Sequence, residues 1–363
     1  MADAELPLVP YAREIHESAL IRFLSGAFDE PRLESRRRIL DWIHEAMPGR
    51  DRTPLRHVIV DGDRLAASMG HLPADFLVNG RVVAARFTHD LLVDPRYRGQ
   101  GLAKRIAENA LRPGEFLPGG LWMTEPCYKI HLASGFTDMK RLVTQTLVLD
   151  PRAFAARKGL SGVRAWTARA ALAAARARAL RAAKTENRAA GPSVRALEVF
   201  DPGMDGSWRR HLEGYGVGRV RDAAYLNWKY CRHPNLPYRA LVAEGDGELA
   251  GYLVWRPAAA SDPERRALVV DFLVANGDTS TLRRLLARAV VDADASGAAV
   301  LSMLTTQPWA IHLLRSLGFF PRGERHTWVV AGWQGVIPEA WRRDHAAWHL
   351  CLGDSDGDLW AYP

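Results

Sequence analysis

The sequence predicts a mixed α/β fold in which two domains with the same order of strands and helices are joined by a basic helical linker. Three observations predict it. The chain has 363 residues, and a domain typically takes about 100–200. Apolar residues make up 48% and charged residues 25%, which is typical of a globular protein. Strand-like and helix-like patterns alternate along the first half, and the same order recurs in the second half, which indicates an internal repeat.

The first domain is predicted at 1–150, with the order β-α-α-β-β-β-α-β-α-β. Apolar residues at spacings of three and four predict its helices, and apolar runs bounded by turn residues predict its strands. Gly62 and Gly80 lie in predicted hairpin turns. The predicted ranges are a strand at 7–12, helices at 14–28 and 33–47, strands at 56–61, 65–72, 76–78 and 82–93, a helix at 102–111, a strand at 120–123, a helix at 127–134 and a strand at 141–149.

The segment between the strand at 82–93 and the helix at 102–111 is a short basic turn that carries two glycines. Gly99 and Gly101 let the backbone turn sharply and approach a ligand closely. The first amides of the following helix have no intrahelical partner, so they point outward and form a cradle for an anion such as a pyrophosphate. The predicted binding residues are Leu91, Leu92, Val93, Arg96, Arg98, Gly99, Gln100, Gly101, Leu102 and Ala103.

This turn resembles the Arg/Gln-x-x-Gly-x-Gly/Ala signature of the GNAT acyltransferases, with Arg96, Gly99 and Gly101 in the fixed places. Farther on, the segment 131–136 resembles the family's Tyr-x-Lys-x-Gly-Phe segment, with histidine in place of tyrosine. The resemblance implies acetyl-CoA or another acyl-CoA as the co-substrate and no metal. It also implies two tandem GNAT-like domains, as in bacterial tandem-GNAT proteins in which one domain is degenerate.

Acyl transfer from a thioester to an amine needs a base and a hydrogen-bond donor for the carbonyl oxygen. The resemblance implies that the strand before the loop splays from its neighbour and offers the amide of Leu92 or Val93 to the carbonyl. His89 is the candidate base, because an imidazole titrates near neutral pH; otherwise it is structural or orients the acceptor. Strand alternation puts His89 on one face with Leu91 and Val93. Glu125, at the end of the next strand, is the second candidate base, directly or through a water.

The leaving thiolate needs a proton or another form of stabilisation, and two residues are candidate acids. His131 stands where the family usually has a tyrosine. Tyr128 lies about one helical turn earlier, on roughly the same face, and is the alternative. A third reading is that the thiolate leaves unassisted. No His-plus-acid arrangement is apparent around Cys127, which disfavours a covalent acyl-enzyme.

The linker at 151–192 is rich in alanine and arginine and is predicted to be helical. Within 151–190 there are ten lysines and arginines but one acid, so this segment accounts for the net charge of +8. Its arginines fall all around the predicted helix and no aromatic residues interleave with them, so neither a membrane nor nucleic acid is an expected partner. Two interpretations remain, a solvated connector and a docking surface for an acidic protein partner.

The second domain, predicted at 193–335, repeats the element order but not the glycine loop. Asp278 lies where a pyrophosphate would sit, and its negative charge disfavours coenzyme binding. This degenerate domain is expected to shape the acceptor pocket or to act as a scaffold. Tyr225, Trp228 and Tyr230 are predicted to be core residues, with the acceptor pocket as the alternative. Residues 336–363 form a C-terminal tail.

The sequence thus predicts an N-acetyltransferase that moves an acetyl group from acetyl-CoA to a primary amine of a small molecule or an amino sugar by direct attack. The alternative is a non-catalytic CoA-binding or scaffold protein whose basic linker docks an acidic partner. Three widely separated cysteines, a start without a basic-then-apolar stretch, and the lack of a long apolar window predict a cytoplasmic protein.

Overall fold

The computed structural model of the protein describes residues 5–111, 117–121, 123–189, 191–245, 248–331, 333, 335–354 and 358. The chain divides into two compact units. The described residues of unit 1 lie within 5–141, 326–343 and 358, and those of unit 2 lie within 142–325 and 344–354. Each unit is built around its own mixed sheet. The predicted mixed α/β class with two domains of similar construction is confirmed.

Strands and helices are interspersed along the whole chain. The strands are β1 (Leu8–Pro10), β2 (Arg56–Asp61), β3 (Arg64–Val78), β4 (Arg81–Val93), β5 (Leu117–Leu121), β6 (Thr137–Asp138), β7 (Leu142–Val148), β8 (Ser193–Leu197), β9 (Val217–Arg219), β10 (Arg239–Gly245), β11 (Glu248–Arg256), β12 (Arg266–Val274), β13 (Val300–Met303), β14 (Phe320–His326), β15 (Trp328–Val330) and β16 (Trp348–His349). The helices are α1 (Arg13–Ser25), α2 (Glu30–Ala46), α3 (Leu102–Asn109), α4 (Glu125–Ala133), α5 (Pro151–Arg157), α6 (Gly162–Glu186), α7 (Asp205–Glu213), α8 (Ala223–Leu226), α9 (Thr279–Ala295) and α10 (Pro308–Ser316).

The sheet of unit 1 has the strand order β1-β2-β3-β4-β5-β15-β6. Its two predicted hairpin turns are present, with glycine in the left-handed region at Gly62 (φ 59°) and Gly80 (φ 75°). Neighbouring residues of β2 point to opposite faces: Val58 packs with α1 and α2, and Ile59 packs with α3 and α4. We call these the α1–α2 face and the α3–α4 face. The two predicted strands at 65–72 and 76–78 are one continuous strand, β3.

Two strands lie in the opposite sheet from the one that the sequence predicts. β7, predicted to end the first domain, pairs with β13 in the sheet of unit 2, with Leu147 opposite Leu301. The predicted last strand of the second domain, β15, pairs with β5 and β6 in unit 1, with Val329 opposite Gly120. The structural division therefore differs from the predicted boundaries at 150 and 335. An apolar run predicts a strand, but it does not specify which sheet will bury that strand.

The sheet of unit 2 has the order β14-β7-β13-β12-β11-β10-β8. The predicted linker helix is present as α5 and α6 but is not a free connector. Ala179 and Ala183 are buried in the core of unit 2 beside residues of α9 such as Leu286 and Val290. Arg176 is also bound to Asp294 at 2.7 Å. Small alanine side chains on a helix with arginines on all sides give too weak an apolar pattern to predict this packing.

A buried polar cluster connects β12 of unit 2 with the segment that follows β16. Arg221 binds Asp271 at 3.0 Å and Asp354 at 2.7 Å, and all three side chains are at most 1% exposed. Burial raises the pKa of the Asp354 carboxyl against the opposing effect of Arg221. Tyr252 donates a hydrogen bond to Asp271 at 3.3 Å. A short segment of the C-terminal tail is therefore part of the core of unit 2.

The aromatic segment around Trp228 is helical, and its three aromatic residues are core residues, as predicted. Tyr225, Trp228 and Tyr230 are 7%, 4% and 3% exposed. The helix itself is α8 followed by one turn of π-helix at Asn227–Cys231. In the described part of the chain, no helix is long and apolar enough to cross a membrane.

Candidate active site

The two central parallel strands of unit 1 separate partway along their length. β4 pairs with β5 from Ala85 to Phe87, opposite Leu117 to Gly119. Beyond that point Gly120 and Leu121 of β5 remain paired with β15 on their other side but no longer pair with β4. The gap opens into a cleft of about 290 Å³. Its walls are formed by Phe28, Arg36, Thr88, His89, Asp90, Leu91, Leu92, Leu121, Met123, Thr124, Cys127 and His131. The predicted splaying of the strand before the glycine loop is therefore present.

A β-bulge in β4 corrects the predicted alternation of its side chains. His89 lies opposite Gly70 and Leu92 lies opposite Ser68, so β4 has one residue more than β3 between these pairs. Asp90 lies in this bulge and has a left-handed φ of 48°. Leu91 and Val93 pack on the α3–α4 face, whereas Leu92 packs on the α1–α2 face.

His89 lies on the α1–α2 face, not with Leu91 and Val93 as predicted. Gly70 and Arg56 are opposite each other on this face, and His89 is opposite Gly70 on the next strand. A Cβ placed on Gly70 would lie 2.2 Å from His89 Nε2. The imidazole therefore occupies the space that the missing side chain of Gly70 leaves free. The sequence could not show this, because alternation assumes a regular strand and nothing in the residues marks the bulge.

Charged groups surround the buried imidazole. The Asp90 carboxylate binds Arg36 of α2 at 2.5 Å, and Arg56 of β2 lies 3.7 Å from it. His89 Nδ1 is 3.8 Å from Asp90 Oδ2. Burial favours a higher pKa for Asp90, but its interactions with His89, Arg36 and Arg56 outweigh burial and hold this pKa below its ordinary value. The carboxylate stays ionised beside the imidazole, which is the arrangement that orients a general base.

His131 contacts the cleft from α4 together with Thr88. Its Nδ1 lies 2.9 Å from the carbonyl oxygen of Cys127, which can only accept, so Nδ1 carries the proton. Nε2 is then the acceptor for the Thr88 hydroxyl, 3.1 Å away. Burial lowers the pKa of His131, so the ring is neutral and is a poor source of a proton. In this arrangement His131 positions the Thr88 hydroxyl.

The other two candidate catalytic residues lie outside the set that lines the cleft. Tyr128 packs in the apolar cluster of the α3–α4 face, where burial and a hydrogen bond with Asp138 raise its pKa. Glu125 is the first residue of α4, not the end of a strand, and its half-exposed carboxylate binds Arg141 at 2.9 Å. The cleft thus brings together His89 and His131, but not Tyr128 or Glu125.

The glycine loop has the backbone that an anion cradle requires. Gly99 and Gly101 are both left-handed, with φ of 81° and 76°, and Gly101 directly precedes the first turn of α3. The Arg96 guanidinium binds Asp94 at 2.8 Å, so part of its charge is already compensated. Arg98 and Gln100 are exposed beside the start of α3. Unit 2 differs at the matching place, because Asp278 caps α9 by accepting from Thr281 N at 3.0 Å, so its own carboxylate occupies the helix start.

The backbone of β4 directs one amide into the gap. Asp94 N donates to the Ala66 carbonyl of β3 at 3.0 Å. Successive residues of a strand direct their N–H groups to alternate sides. The N–H of Val93 therefore points away from β3, toward the side on which β5 has separated. Of the two amides that the family resemblance suggests, this arrangement favours Val93 over Leu92.

The comparisons with known proteins agree with this geometry. Residues 11–113, which include the cleft strand β4 and the glycine loop, match the family model described as an acetyltransferase (GNAT) domain. This segment therefore matches a GNAT domain, and the resemblance predicted from the sequence is confirmed for it. The family match and the fold together support acyl transfer as its class of chemistry. A comparison with curated protein sequences gives no match.

Solved structures share the fold over most of the chain at low identity. N-myristoyltransferase of Saccharomyces cerevisiae with bound myristoyl-CoA is 12% identical, with a TM-score of 0.57, covering 91% of this chain and 85% of that one. A GCN5-related N-acetyltransferase from Anabaena variabilis is 12% identical, with a TM-score of 0.57 and coverages of 90% and 72%. Another from Kribbella flavida is 14% identical, with a TM-score of 0.55 and coverages of 90% and 71%.

Sequence reasoning missed two residues of the cleft. Arg36 lies on α2, 54 residues before its partner Asp90, and one arginine among several on a polar helix face gives no signal for such a contact. Thr88 is adjacent to His89, but its role depends on a contact with His131 that is 43 residues away. Both contacts arise from the packing of helices on the sheet.

Proposed function

We propose that unit 1 is an acyl-CoA-dependent N-acyltransferase that transfers an acetyl group from acetyl-CoA to a primary amine of a small molecule or an amino sugar. One observation carries this proposal: the separation of β4 from β5 brings a buried His89–Asp90 pair and the Val93 N–H together at the strand end that enters the glycine loop. The backbone amides at the start of α3 are suited to hold the pyrophosphate of the coenzyme. The acyl thioester is supplied by the co-substrate.

The proposed roles follow from the two faces of β4. His89, oriented by Asp90, takes a proton from the acceptor ammonium on the α1–α2 face, and the freed amine attacks the carbonyl carbon. The Val93 N–H donates to the carbonyl oxygen as negative charge develops on it. The C–N bond forms and the C–S bond breaks. On the α3–α4 face the Thr88 hydroxyl gives its one proton to His131 and has none left for sulfur, so the leaving thiolate takes the second proton that the attacking nitrogen loses as the amide forms.

The test is release of free CoA thiol from acetyl-CoA in the presence of a panel of primary amines and amino sugars, repeated with longer acyl-CoA donors. We expect His89→Gln to lower kcat/KM by about 10²–10⁴-fold and to leave acetyl-CoA binding unchanged. His57→Gln is the matched control, because His57 lies on β2 outside the residues that line the cleft, and it should keep full activity.

The outcome also decides between the proposal and its alternatives. Turnover of longer acyl-CoA donors in preference to acetyl-CoA would support acyl transfer as the reaction, with a longer acyl group as the one transferred. Tight binding of acetyl-CoA with no turnover of any amine would overturn the enzymatic proposal in favour of a CoA-binding protein. Full activity of His89→Gln would remove His89 as the base, and Glu125→Gln would then be the next variant to measure.

A further inference from the structure

An open groove of about 670 Å³ lies within unit 2, between one face of α6 and the loops that precede α5 and follow α9. Its floor is formed by Ala170 and Ala173, which leave room for the close approach of another chain. Trp166 lies at one end of the groove and Arg176 at the other. Arg176 follows Trp166 by ten positions along the helix, which corresponds to a length of about 15 Å. We call this surface the Trp166 groove.

Positive charge dominates the Trp166 groove, and part of it is unused. Arg265 is bound by Asp150, and Arg176 is bound by Asp294. The side chains of Arg152 and Arg169 also line the groove, but within the described part of the chain neither has an ion-pair partner. The groove therefore presents two arginines to solvent, whereas carboxylates in its own walls neutralise the other two. A ligand with carboxylates at discrete positions would complete these contacts.

The groove also has an apolar end that is unusual for a protein surface. The Trp166 residue is 71% exposed, and Val163, one helical turn earlier, is 78% exposed. Tryptophan and arginine are among the residue types that contribute most of the binding energy in protein–protein interfaces. Trp166 does not contribute to the core of unit 2, so packing within this unit does not explain its position.

We propose that the Trp166 groove docks an acidic amphipathic helix of a partner protein. Carboxylates of that helix pair with Arg152 and Arg169, and an apolar side chain packs on Trp166 above the alanine floor. A continuous nucleic-acid backbone fits less well, because Asp150 and Asp294 interrupt the positive surface. Base stacking along a strand uses several aromatic side chains, whereas Trp166 is the one aromatic residue among those that line the groove.

The experiment measures fluorescence anisotropy of a labelled acidic helical peptide, titrated with the full chain. The peptide has about 16 residues, a length of roughly 24 Å as a helix, with glutamates on one flank and leucines on the next. A counterpart with lysine in place of glutamate is the ligand control. Single-stranded oligothymidine and vesicles with phosphatidylglycerol are the competing probes. Binding is compared at low and at high ionic strength, since exposed charge pairs are screened by salt.

Four proteins decide the result. Trp166→Ala should weaken binding of the acidic peptide by about tenfold or more, and Arg169→Ala should weaken it by several-fold and reduce its salt dependence. Arg178→Ala is the matched control, because Arg178 lies on α6 but does not line the groove, and it should bind like the wild-type protein. Far-ultraviolet circular dichroism checks that α6 is intact in each variant.

The proposal is overturned if the acidic peptide does not bind, or if the three variants bind it equally well. It is also overturned if oligothymidine or the vesicles bind in a manner that depends on Trp166 and Arg169 while the peptide does not. The surface would then be assigned to nucleic acid or to an anionic membrane. None of these results depends on acyltransferase activity, so the peptide-binding experiment and the test of the proposed function are independent of each other.

Discussion

The replacement Gly70→Ala tests the placement of His89 without removing the imidazole. Gly70 is buried in β3 directly opposite His89. A Cβ added there would lie 2.2–2.8 Å from three atoms of the His89 ring. Ordinary contacts of a Cβ begin at 3.4 Å, so the ring must move by at least about 1.2 Å. The backbone of Gly70 is that of a regular strand residue, so alanine adds no strain of its own.

The displacement has two measurable consequences. Overpacking a buried site costs about 1–3 kcal/mol of unfolding free energy. A misplacement of about 1 Å in a catalytic group lowers activity by about 10²-fold. The proposed coenzyme site is the glycine loop and not β3, so acetyl-CoA affinity should stay at the wild-type value.

The assay is a double-mutant cycle with His89→Ala, measured by urea-induced unfolding and by kcat/KM for acyl transfer. Without the imidazole, the added methyl group has space, so Gly70→Ala should change neither stability nor activity in the His89→Ala background. A single Gly70→Ala variant with wild-type stability and activity would refute the placement of the ring. Equal effects of Gly70→Ala in both backgrounds would show that its cost does not arise from His89.

Two predictions concern the buried ion pairs. Arg221→Met leaves the carboxylates of Asp271 and Asp354 buried together, and urea-induced unfolding should show a loss of roughly 3–5 kcal/mol; a loss below about 1 kcal/mol would contradict the buried pairing. Asp90→Asn should destabilise unit 1 at neutral pH by a similar amount, because Arg36 loses its partner. Since the pKa of Asp90 is lowered in the folded state, its contribution is present above the ordinary pKa of about 3.9 and is lost as pH falls. The stability difference between the wild-type and Asp90→Asn proteins should therefore narrow as pH falls below about 4, and an unchanged difference would contradict the assignment.

The glycine loop could be predicted from the sequence because its chemistry depends on the backbone. Gly99 and Gly101 are left-handed and precede α3, as a turn with two glycines before a helix predicts. The position of His89 could not be predicted in the same way. The sheet face on which His89 lies depends on the bulge at Asp90. Aspartate tolerates a left-handed φ, but its presence in a sequence does not predict one. One additional residue reversed the face of the side chain.

Other parts of the fold depend on contacts between distant segments. The strands β7 and β15 were predicted as strands, but each lies in the opposite sheet, because strand propensity does not encode the pairing partner. The packing of α6 on α9 could not be predicted, because it involves alanines such as Ala179 and Ala183, which contribute little to an apolar pattern in the sequence. The pair of Thr88 and His131 likewise required the position of α4 on the sheet.

Calorimetric titration of acetyl-CoA into the wild-type, Gly101→Glu and Gly101→Ala proteins tests whether the glycine loop of unit 1 binds the coenzyme. A Cβ at Gly101 meets no described atom within 4 Å, so both replacements carry the strain of the left-handed φ of 76°, roughly 1–2 kcal/mol, and Glu adds a negative charge in the cradle. We expect one coenzyme bound per wild-type chain, a moderate loss of affinity for Gly101→Ala, and no measurable binding for Gly101→Glu. Wild-type protein that does not bind acetyl-CoA, or Gly101→Glu protein that binds it as tightly as the wild type, would contradict a donor site at the glycine loop of unit 1.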